Sequence, residues 1–215
     1  DLKKALAGRT QPLPVKIVMA WMKQLLNGVQ HIHSKNLIHR DLKPGNLLIN
    51  QSGTMKIADF GCTRKPVHME DLDETPLTPV VQTLWYRAPE VLLQAKHYGQ
   101  AIDLWSIGCI FAEMLSCKVL FMGMSEISQI KAICKVMGTP KSSDWPEYCM
   151  LSENFSLKEK SKKDLKPLLS TTGLYCQHSA EDSAIDLLES FLTYNPANRV
   201  SPQDALCHRW FKEVK

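Results

Sequence analysis

The fold of this sequence is indicated first by one eight-residue stretch, His39-Arg40-Asp41-Leu42-Lys43-Pro44-Gly45-Asn46. Two short apolar runs, 47–49 and 55–58, follow directly and are separated by turn-forming residues. Two such runs around a turn predict a β-hairpin. Because Asn46 precedes the hairpin and Asp59 follows it, we expect the hairpin to bring these two side chains to one point.

Helical patterns surround this region. Residues 14–34 place apolar side chains three and four positions apart, which predicts one long helix with an apolar stripe. The run 101–117 is apolar on nearly every side, as in a helix buried at the centre of a domain. The sequence also predicts a short strand at 37–39 and helices at 125–137, from Ser179 and from Ser201. We therefore predict an α+β fold that is mostly helical, with short β-hairpins.

The composition is that of an ordinary globular protein, with 44% hydrophobic and 22% charged residues among 215. A formal net charge of +4 falls short of the basic patch that nucleic-acid binding needs. The longest apolar run, 101–117, contains two carboxylates and is too short to span a bilayer comfortably. The seven cysteines form no Cys-x-x-Cys pair, which disfavours a disulfide framework or a zinc site. We expect an intracellular protein of the nucleus or cytoplasm, with no nucleic-acid or membrane partner.

Two tripeptides bound the polar segment 59–90, and Pro66, Pro76 and Pro79 lie between them. Asp59-Phe60-Gly61 opens the segment and Ala88-Pro89-Glu90 closes it. A loop of this length within a compact domain is usually functional. A single Asp, Asn or His in a turn is more often a cap or turn former than a catalytic group. Here three motifs, at 39–46, 59–61 and 88–90, occur in this order with strand patterns between the first two. The probability that this combination arises by chance is negligible.

Over nearly its whole length the sequence resembles the C-terminal lobe of the eukaryotic protein kinases. Their catalytic-loop pattern, His-Arg-Asp-Leu-x-x-x-Asn, is matched by residues 39–46, and residues 59–90 correspond to the activation segment. Within the family the sequence resembles the cyclin-dependent kinase branch, in the CMGC group. The stretches that carry this similarity are Leu84–Glu90 (LWYRAPE), Asp103–Ile110 (DLWSIGCI), Gly138–Pro140 and Trp145–Pro146. Residues of roughly 123–178 match the insertion of that group, so the resemblance implies that 1–215 are the C-terminal lobe only of a protein kinase domain.

The resemblance implies ATP-dependent phosphate transfer to protein serine or threonine. Asp41 would orient the substrate hydroxyl and accept its proton, and Lys43 would neutralise the phosphate being transferred. Asn46 and Asp59 would supply oxygen ligands to Mg²⁺, a hard cation. Thr83 would bridge Asp41 and Lys43. A lysine at this place in the loop is similar to serine/threonine rather than tyrosine kinases, whereas His39 is expected only to pack and hydrogen-bond.

Further roles are implied around this centre. Leu48 and Ala58 would line the floor of the adenine site, and Asp1 would lie near the ribose. Two contacts would hold the site in shape, namely hydrogen bonds from Asp103 to the catalytic-loop backbone and the ion pair Glu90–Arg199. A buried carboxylate such as Asp103 needs partners of this kind.

Thr78 stands at the distance before Trp85 where the cyclin-dependent branch places its activating phosphothreonine. A phosphate there would be added by an upstream kinase and would order the loop by pairing with Arg40 and Arg64. Thr75 is the alternative site, because it also precedes a proline.

The substrate pocket would include Arg87, which favours substrates with Ser/Thr-Pro sites, and Gln82, where relatives usually have valine or alanine. Cys62 follows the Asp-Phe-Gly where relatives usually have leucine. We interpret it as a small packing residue, and a reactive thiol is the alternative. The resemblance also implies a cyclin-type activating subunit.

One part of the kinase pattern is absent from these 215 residues. They contain no Gly-x-Gly-x-x-Gly loop and no Val-Ala-Ile-Lys strand, the parts that cover and hold the nucleotide phosphates. Because the chain also starts without methionine, we expect those parts upstream of Asp1 and expect this fragment alone to be inactive. The alternative is a truncated, non-catalytic kinase lobe that acts as an interaction module.

Overall fold

A computed structural model describes the fold of residues 1–66, 84–148, 157–167 and 178–213. The helices are α1 (Leu2–Leu6), α2 (Val15–Ser34), α3 (Pro89–Leu92), α4 (Ala101–Ser116), α5 (Glu126–Met137), α6 (His178–Phe191), α7 (Pro202–Leu206) and α8 (Trp210–Glu213). Strands β1 (Leu47–Ile49) and β2 (Met55–Ile57) form one antiparallel hairpin. Short 3-10 helices lie at Pro44–Asn46, Phe60–Cys62, Leu84–Tyr86 and Pro196–Asn198. The predicted α+β class, mostly helical with a small hairpin, is confirmed.

The hairpin is held from outside by α2. Leu47 pairs with Ile57, Leu48 with Lys56 and Ile49 with Met55. The indole Nε1 of Trp21 donates to the carbonyl oxygen of Gly53 in the turn (3.1 Å), and Oε1 of Gln24 accepts from the backbone N–H of Met55 (2.7 Å). Gly53 has φ 79°, a conformation that glycine adopts without steric cost. The predicted strand at 37–39 is reduced to one isolated bridge, between Ile38 and Arg64.

Helix α4 is the centre of the domain. Every residue from Ile102 to Leu115 is buried, which confirms the interpretation of the apolar run 101–117. The helix packs against α2 on one side and against α6 on another. At Gly108 an added Cβ would lie 2.8 Å from Leu192 and 2.9 Å from Phe191, so the α4–α6 approach requires glycine there.

The other predicted helices are present with small shifts. Helix α2 starts one residue after its Pro14 N-cap, α5 follows the Ser125 N-cap, and α6 begins at His178 rather than Ser179. Helices α1 and α8 had no prediction. Trp210 of α8 is fully buried against Phe111, with ring centroids 4.8 Å apart. Among the described residues, no helix combines the length and the apolar character needed to cross a membrane.

A buried ion pair joins two residues that are 109 positions apart in the sequence. Arg199 binds Glu90 through two parallel contacts, Nη1 to Oε1 (2.6 Å) and Nη2 to Oε2 (2.7 Å). Its three remaining N–H groups donate to the carbonyl oxygens of Thr193, Ala101 and Tyr194. All five guanidinium donors are therefore used. The pair that the kinase resemblance implied is present, and it ties α3 to the start of α4 and to the 193–199 turn.

We predict that Glu90→Gln destabilises the domain by about 3–5 kcal/mol, because it leaves the buried guanidinium without its counter-charge. The measurement is the free energy of unfolding from urea denaturation. Glu189→Gln is the matched control, since Glu189 pairs with Lys162 in an exposed contact (2.7 Å) worth about 0–1 kcal/mol. Equal losses in the two variants would contradict the structural weight given to the buried pair.

Candidate active site

The catalytic loop, residues 39–46, is anchored to α4 by the carboxylate of Asp103. Its Oδ2 accepts the backbone N–H of His39 (2.9 Å) and its Oδ1 accepts that of Arg40 (2.9 Å). Nε2 of His33, on α2, lies 2.8 Å from Oδ2. Asp103 is only 1% exposed, and these contacts are what make a carboxylate tolerable inside an apolar helix. The hydrogen bonds expected of Asp103 are present.

His39 is buried, and both of its ring nitrogens are engaged. Nδ1 accepts the backbone N–H of Asp41 (3.3 Å), so the ring proton belongs on Nε2, which faces the carbonyl oxygen of Ala58 at 3.1 Å. The ring also packs edge-on against Phe60, with centroids 5.2 Å apart. This histidine therefore connects the catalytic loop to the end of the hairpin, which is a packing and hydrogen-bonding role.

Asp41 stands at the centre of a compact polar group. Its Oδ2 accepts from Nζ of Lys43 (2.7 Å) and from Nδ2 of Asn46 (3.0 Å). Nδ2 of Asn46 also donates to the carbonyl oxygen of Asp41 (2.8 Å). Asp41 and Asn46 are each 7% exposed, and Lys43 is partly exposed. The loop thus presents a buried carboxylate with an ammonium group beside it and an amide behind it.

The hairpin brings Asp59 to the same place as Asn46. The strand pairing continues past β1 and β2 with a hydrogen bond from the N–H of Ala58 to the carbonyl oxygen of Asn46 (2.9 Å). Asp59 follows at once with the left-handed backbone angles φ 64° and ψ 72°. Its Oδ1 faces the N–H of Gly61 at 3.4 Å, and the residue is exposed. An aspartate in this conformation is uncommon and costs backbone energy, so the observation points to function.

The oxygen atoms at this point suit a hard cation. The described hydrogen bonds of the Asn46 side chain both use Nδ2, which leaves Oδ1 to face a metal, and Asp59 adds an exposed carboxylate. No group of three or more His, Cys, Asp or Glu side chains suited to a metal occurs in the ranges that the structure describes. Mg²⁺ is commonly held by one or two protein oxygens together with phosphate oxygens and water. The residues fit that mode.

Two of the residues predicted for the nucleotide site lie in the hairpin or directly after it. Leu48 of β1 is 49% exposed and Ala58, after β2, is partly buried, while the neighbouring Phe60 is 51% exposed. Asp1 caps α1, where its Oδ1 accepts the N–H of Lys4 (2.8 Å). Helix α1 packs against β1 and against the end of the catalytic loop, so Asp1 belongs to an element in contact with both.

The positive charges of three arginines act on Tyr98. The guanidinium of Arg40 lies 5.9 Å from the centre of the Tyr98 ring. The backbone φ of Arg40 is 70°. Burial raises the pKa of the Tyr98 phenol, and the positive charges of Arg40, Arg87 and Arg64 oppose that rise. Arg64 is exposed and donates to the carbonyl oxygen of Thr63 (2.9 Å). The charges of both arginines predicted to pair with a phosphate therefore act on Tyr98, which had no prediction.

Four of the predicted site residues, Thr75, Thr78, Gln82 and Thr83, lie outside the described residues. Cys62 is described, and it lies in a partly buried position at the end of a 3-10 helix.

Segment 84–88, which contains Arg87, is fixed by polar groups of α4 and α5. Ser106 Oγ donates to the carbonyl oxygen of Tyr86 (2.8 Å), and the Tyr86 hydroxyl donates to Oε2 of Glu113 (2.5 Å). Nη1 of Arg87 lies 3.2 Å from Oε1 of Glu126. The sequence offered one signal for these partners, namely polar residues inside the apolar run of α4. Their pairing with segment 84–88 could not be read from it.

We predict that Glu113→Gln changes how stability depends on pH. Burial raises the pKa of the Glu113 carboxyl above its usual 4.5, against the weaker opposing effects of the Tyr86 hydrogen bond and Lys3. The folded state therefore binds the proton more tightly than the unfolded state, and this carboxyl lowers stability as pH rises above 4.5. The variant keeps an acceptor for Tyr86 and lacks that loss, so its stability relative to the native protein should increase from pH 4 to pH 7. Urea midpoints at each pH measure the difference, and a pH-independent difference would contradict the assignment.

Comparison with known proteins identifies the relatives of this chain. The family model described as "Protein kinase domain" matches residues 1–211. Cyclin-dependent kinase 11B of Homo sapiens is 42% identical over 219 residues, which cover 100% of this chain and 26% of the relative. Cyclin-dependent kinase G-1 of Oryza sativa subsp. indica is 41% identical over 215 residues, covering 100% and 30%. Cyclin-dependent kinase 11B of Rattus norvegicus is 41% identical over 219 residues, covering 100% and 47%. The chain thus spans between about a quarter and a half of the length of these relatives.

Proposed function

The chain belongs to the protein kinase family, and from that premise we propose that it carries the phosphate-transfer centre of a cyclin-dependent-kinase-like serine/threonine kinase. The observation that carries the proposal is the contact of Asp41 with Lys43 and Asn46 on a loop anchored by Asp103. Phosphate transfer needs little covalent chemistry from the protein and depends on positioning and charge. This loop offers both.

Asp41 is proposed as the group that orients the substrate hydroxyl and accepts its proton. Both of its described side-chain contacts fall on Oδ2, so Oδ1 is the oxygen assigned to the hydroxyl. His39 is a poor alternative base, because both of its ring nitrogens already have partners. Lys43, 2.7 Å from Asp41, would place positive charge beside the transferred phosphate. A serine or threonine acceptor is supported by this lysine.

ATP and Mg²⁺ are proposed as the phosphate donor and its metal. When bound, the ion would neutralise phosphate charge during transfer. Asn46 Oδ1 and the Asp59 carboxylate would hold it, and the hairpin keeps these residues together through the Ala58–Asn46 hydrogen bond. Leu48 offers its exposed apolar surface to the adenine ring.

Phosphorylation of Thr78 by an upstream kinase is proposed as the regulatory step. The support is the pair Arg40 and Arg64, whose charges both reach Tyr98 and would meet a phosphate that carries nearly two negative charges. Thr75 remains the alternative site. Mass spectrometry of the purified active protein tests this, and phosphate found on Thr75 with none on Thr78 would overturn it.

Substrates with Ser/Thr-Pro sites and a cyclin-type subunit are proposed as partners. Arg87, held by Glu126, supports the Ser/Thr-Pro specificity, from which Gln82 departs as a pocket residue. The names of the relatives support the cyclin-type subunit. An intracellular location, in the nucleus or cytoplasm, is supported by the described cysteines, which form no disulfide with one another. Recovery of the protein from a secreted fraction would contradict that location.

A non-catalytic interaction module is the alternative function. The exposed apolar side chains Leu48 and Phe60 favour it, because a partner protein rather than a nucleotide would cover them. The two functions respond differently when Asp41 is neutralised. An interaction module would still bind its partner, whereas a kinase would lose phosphate transfer.

We predict that Asp41→Asn, in the protein as its gene encodes it, lowers the rate of phosphate transfer by about 10²- to 10⁴-fold. Nucleotide binding should stay within about twofold, because the base does not hold the phosphates. Transfer is measured with labelled ATP and a Ser-Pro peptide, and binding by calorimetry with MgATP. Asp59→Asn is the comparison variant and should weaken Mg²⁺-dependent nucleotide binding itself. An Asp41→Asn protein with substantial activity would refute the assignment of the base.

A further inference from the structure

Gln129 is an amide on α5 that is fully buried, with 0% of its surface exposed. Oε1 accepts the N–H of Gly123 (2.7 Å). Nε2 donates to the carbonyl oxygens of Trp85 (3.3 Å) and Phe121 (3.2 Å). These three partners fix the orientation of the amide, because the reverse orientation would set its NH₂ group against the N–H of Gly123.

Gln129, Trp85 and Gly123 are joined to one another by hydrogen bonds, each residue to the other two. The indole Nε1 of Trp85 donates to the carbonyl oxygen of Gly123 (3.0 Å), so Gln129 reaches Trp85 both directly and through Gly123. Gly123 lies so close to α5 that an added Cβ would be 2.3 Å from the backbone nitrogen of Gln129. Only glycine fits there. The connection between segment 84–88 and α5 is therefore made of specific polar contacts at close range.

An apolar side chain of similar size would fill this space but would leave the N–H of Gly123 and the carbonyl oxygens of Trp85 and Phe121 without these hydrogen bonds. Because a buried polar group that loses its partner is destabilising, the contacts of Gln129 hold segment 84–88 in one register. The first turn of α5 is itself fixed by the Ser125–Ser128 capping box. From that turn Glu126 also reaches Arg87, at 3.2 Å.

Segment 84–88 is thus held between two helices. Ser106 and Glu113 of α4 hold Tyr86, and Gln129 and Glu126 of α5 hold Trp85 and Arg87. We propose that Gln129 is a positioning residue for protein-substrate binding, which acts by fixing Trp85 and thereby the placement of Arg87 in the substrate pocket. This inference rests on the proposed kinase function.

The test is Gln129→Met, which keeps the length and volume of the side chain and removes its hydrogen bonds. We expect KM for a Ser-Pro protein substrate to rise about tenfold, as for loss of one or two hydrogen bonds. KM for ATP should stay within about twofold. Tyr194→Phe is the matched control, since the Tyr194 hydroxyl donates to the carbonyl oxygen of Gly138 (2.6 Å) at the other end of α5. It should destabilise the protein to a similar extent and leave both KM values unchanged.

Hydrogen exchange of the backbone over segment 84–88 gives a second readout that needs no activity. Exchange should quicken in Gln129→Met and not in Tyr194→Phe. An unchanged substrate KM in an active Gln129→Met protein, or a rise shared equally by Tyr194→Phe, would overturn the positioning role. A native protein that transfers no phosphate would instead refute the proposed function, while unchanged exchange in Gln129→Met would still refute the structural part of this inference.

Discussion

The hydrogen bonds between the buried Asp103 carboxylate and the catalytic-loop backbone are the constraint on which the site depends. A carboxylate inside an apolar helix is tolerable only when its oxygens are satisfied, and the N–H groups of His39 and Arg40 satisfy them. Within the loop held in this way, Arg40 has a left-handed backbone with φ 70°. With the loop held in this way, Asp41, Lys43 and Asn46 are placed within hydrogen-bonding distance of one another.

Helix α4 extends this constraint to the rest of the site. Asp103 near its start holds the catalytic loop, and Ser106 and Glu113 hold Tyr86 in segment 84–88. Both the group that would accept the proton and the segment that would hold the substrate are therefore positioned by one rigid, buried helix. A site supported in this way keeps its geometry better than one carried by loops alone. The Arg199–Glu90 pair fixes the start of the same helix, since Arg199 also donates to the carbonyl oxygen of Ala101 (3.0 Å).

Local sequence patterns predicted much of this fold. The period of apolar residues located α2, the continuous apolar run located α4 and the serine cap located α5. The order of the three motifs located Asp41, Asn46 and Asp59. The contacts of Gln129 with Trp85 and Gly123 could not be predicted, because they join residues 44 and 6 positions apart that share no local pattern. Tyr98 was missed for the same reason, since its relation to Arg40 exists only in the folded chain. The short α8 carried too few residues for a periodic signal, and its tertiary packing around Trp210 decides it.

The most direct test of this account is the rate of phosphate transfer from ATP to a Ser-Pro peptide, in the native protein and in Asp103→Asn. We expect measurable phosphate transfer by the native protein. In a folded Asp103→Asn protein we expect the rate of phosphate transfer to fall about 10²-fold, as for small displacements of catalytic groups. Nucleotide affinity should be largely retained in that variant. An inactive native protein, or an Asp103→Asn protein as active as the native one, would contradict the account.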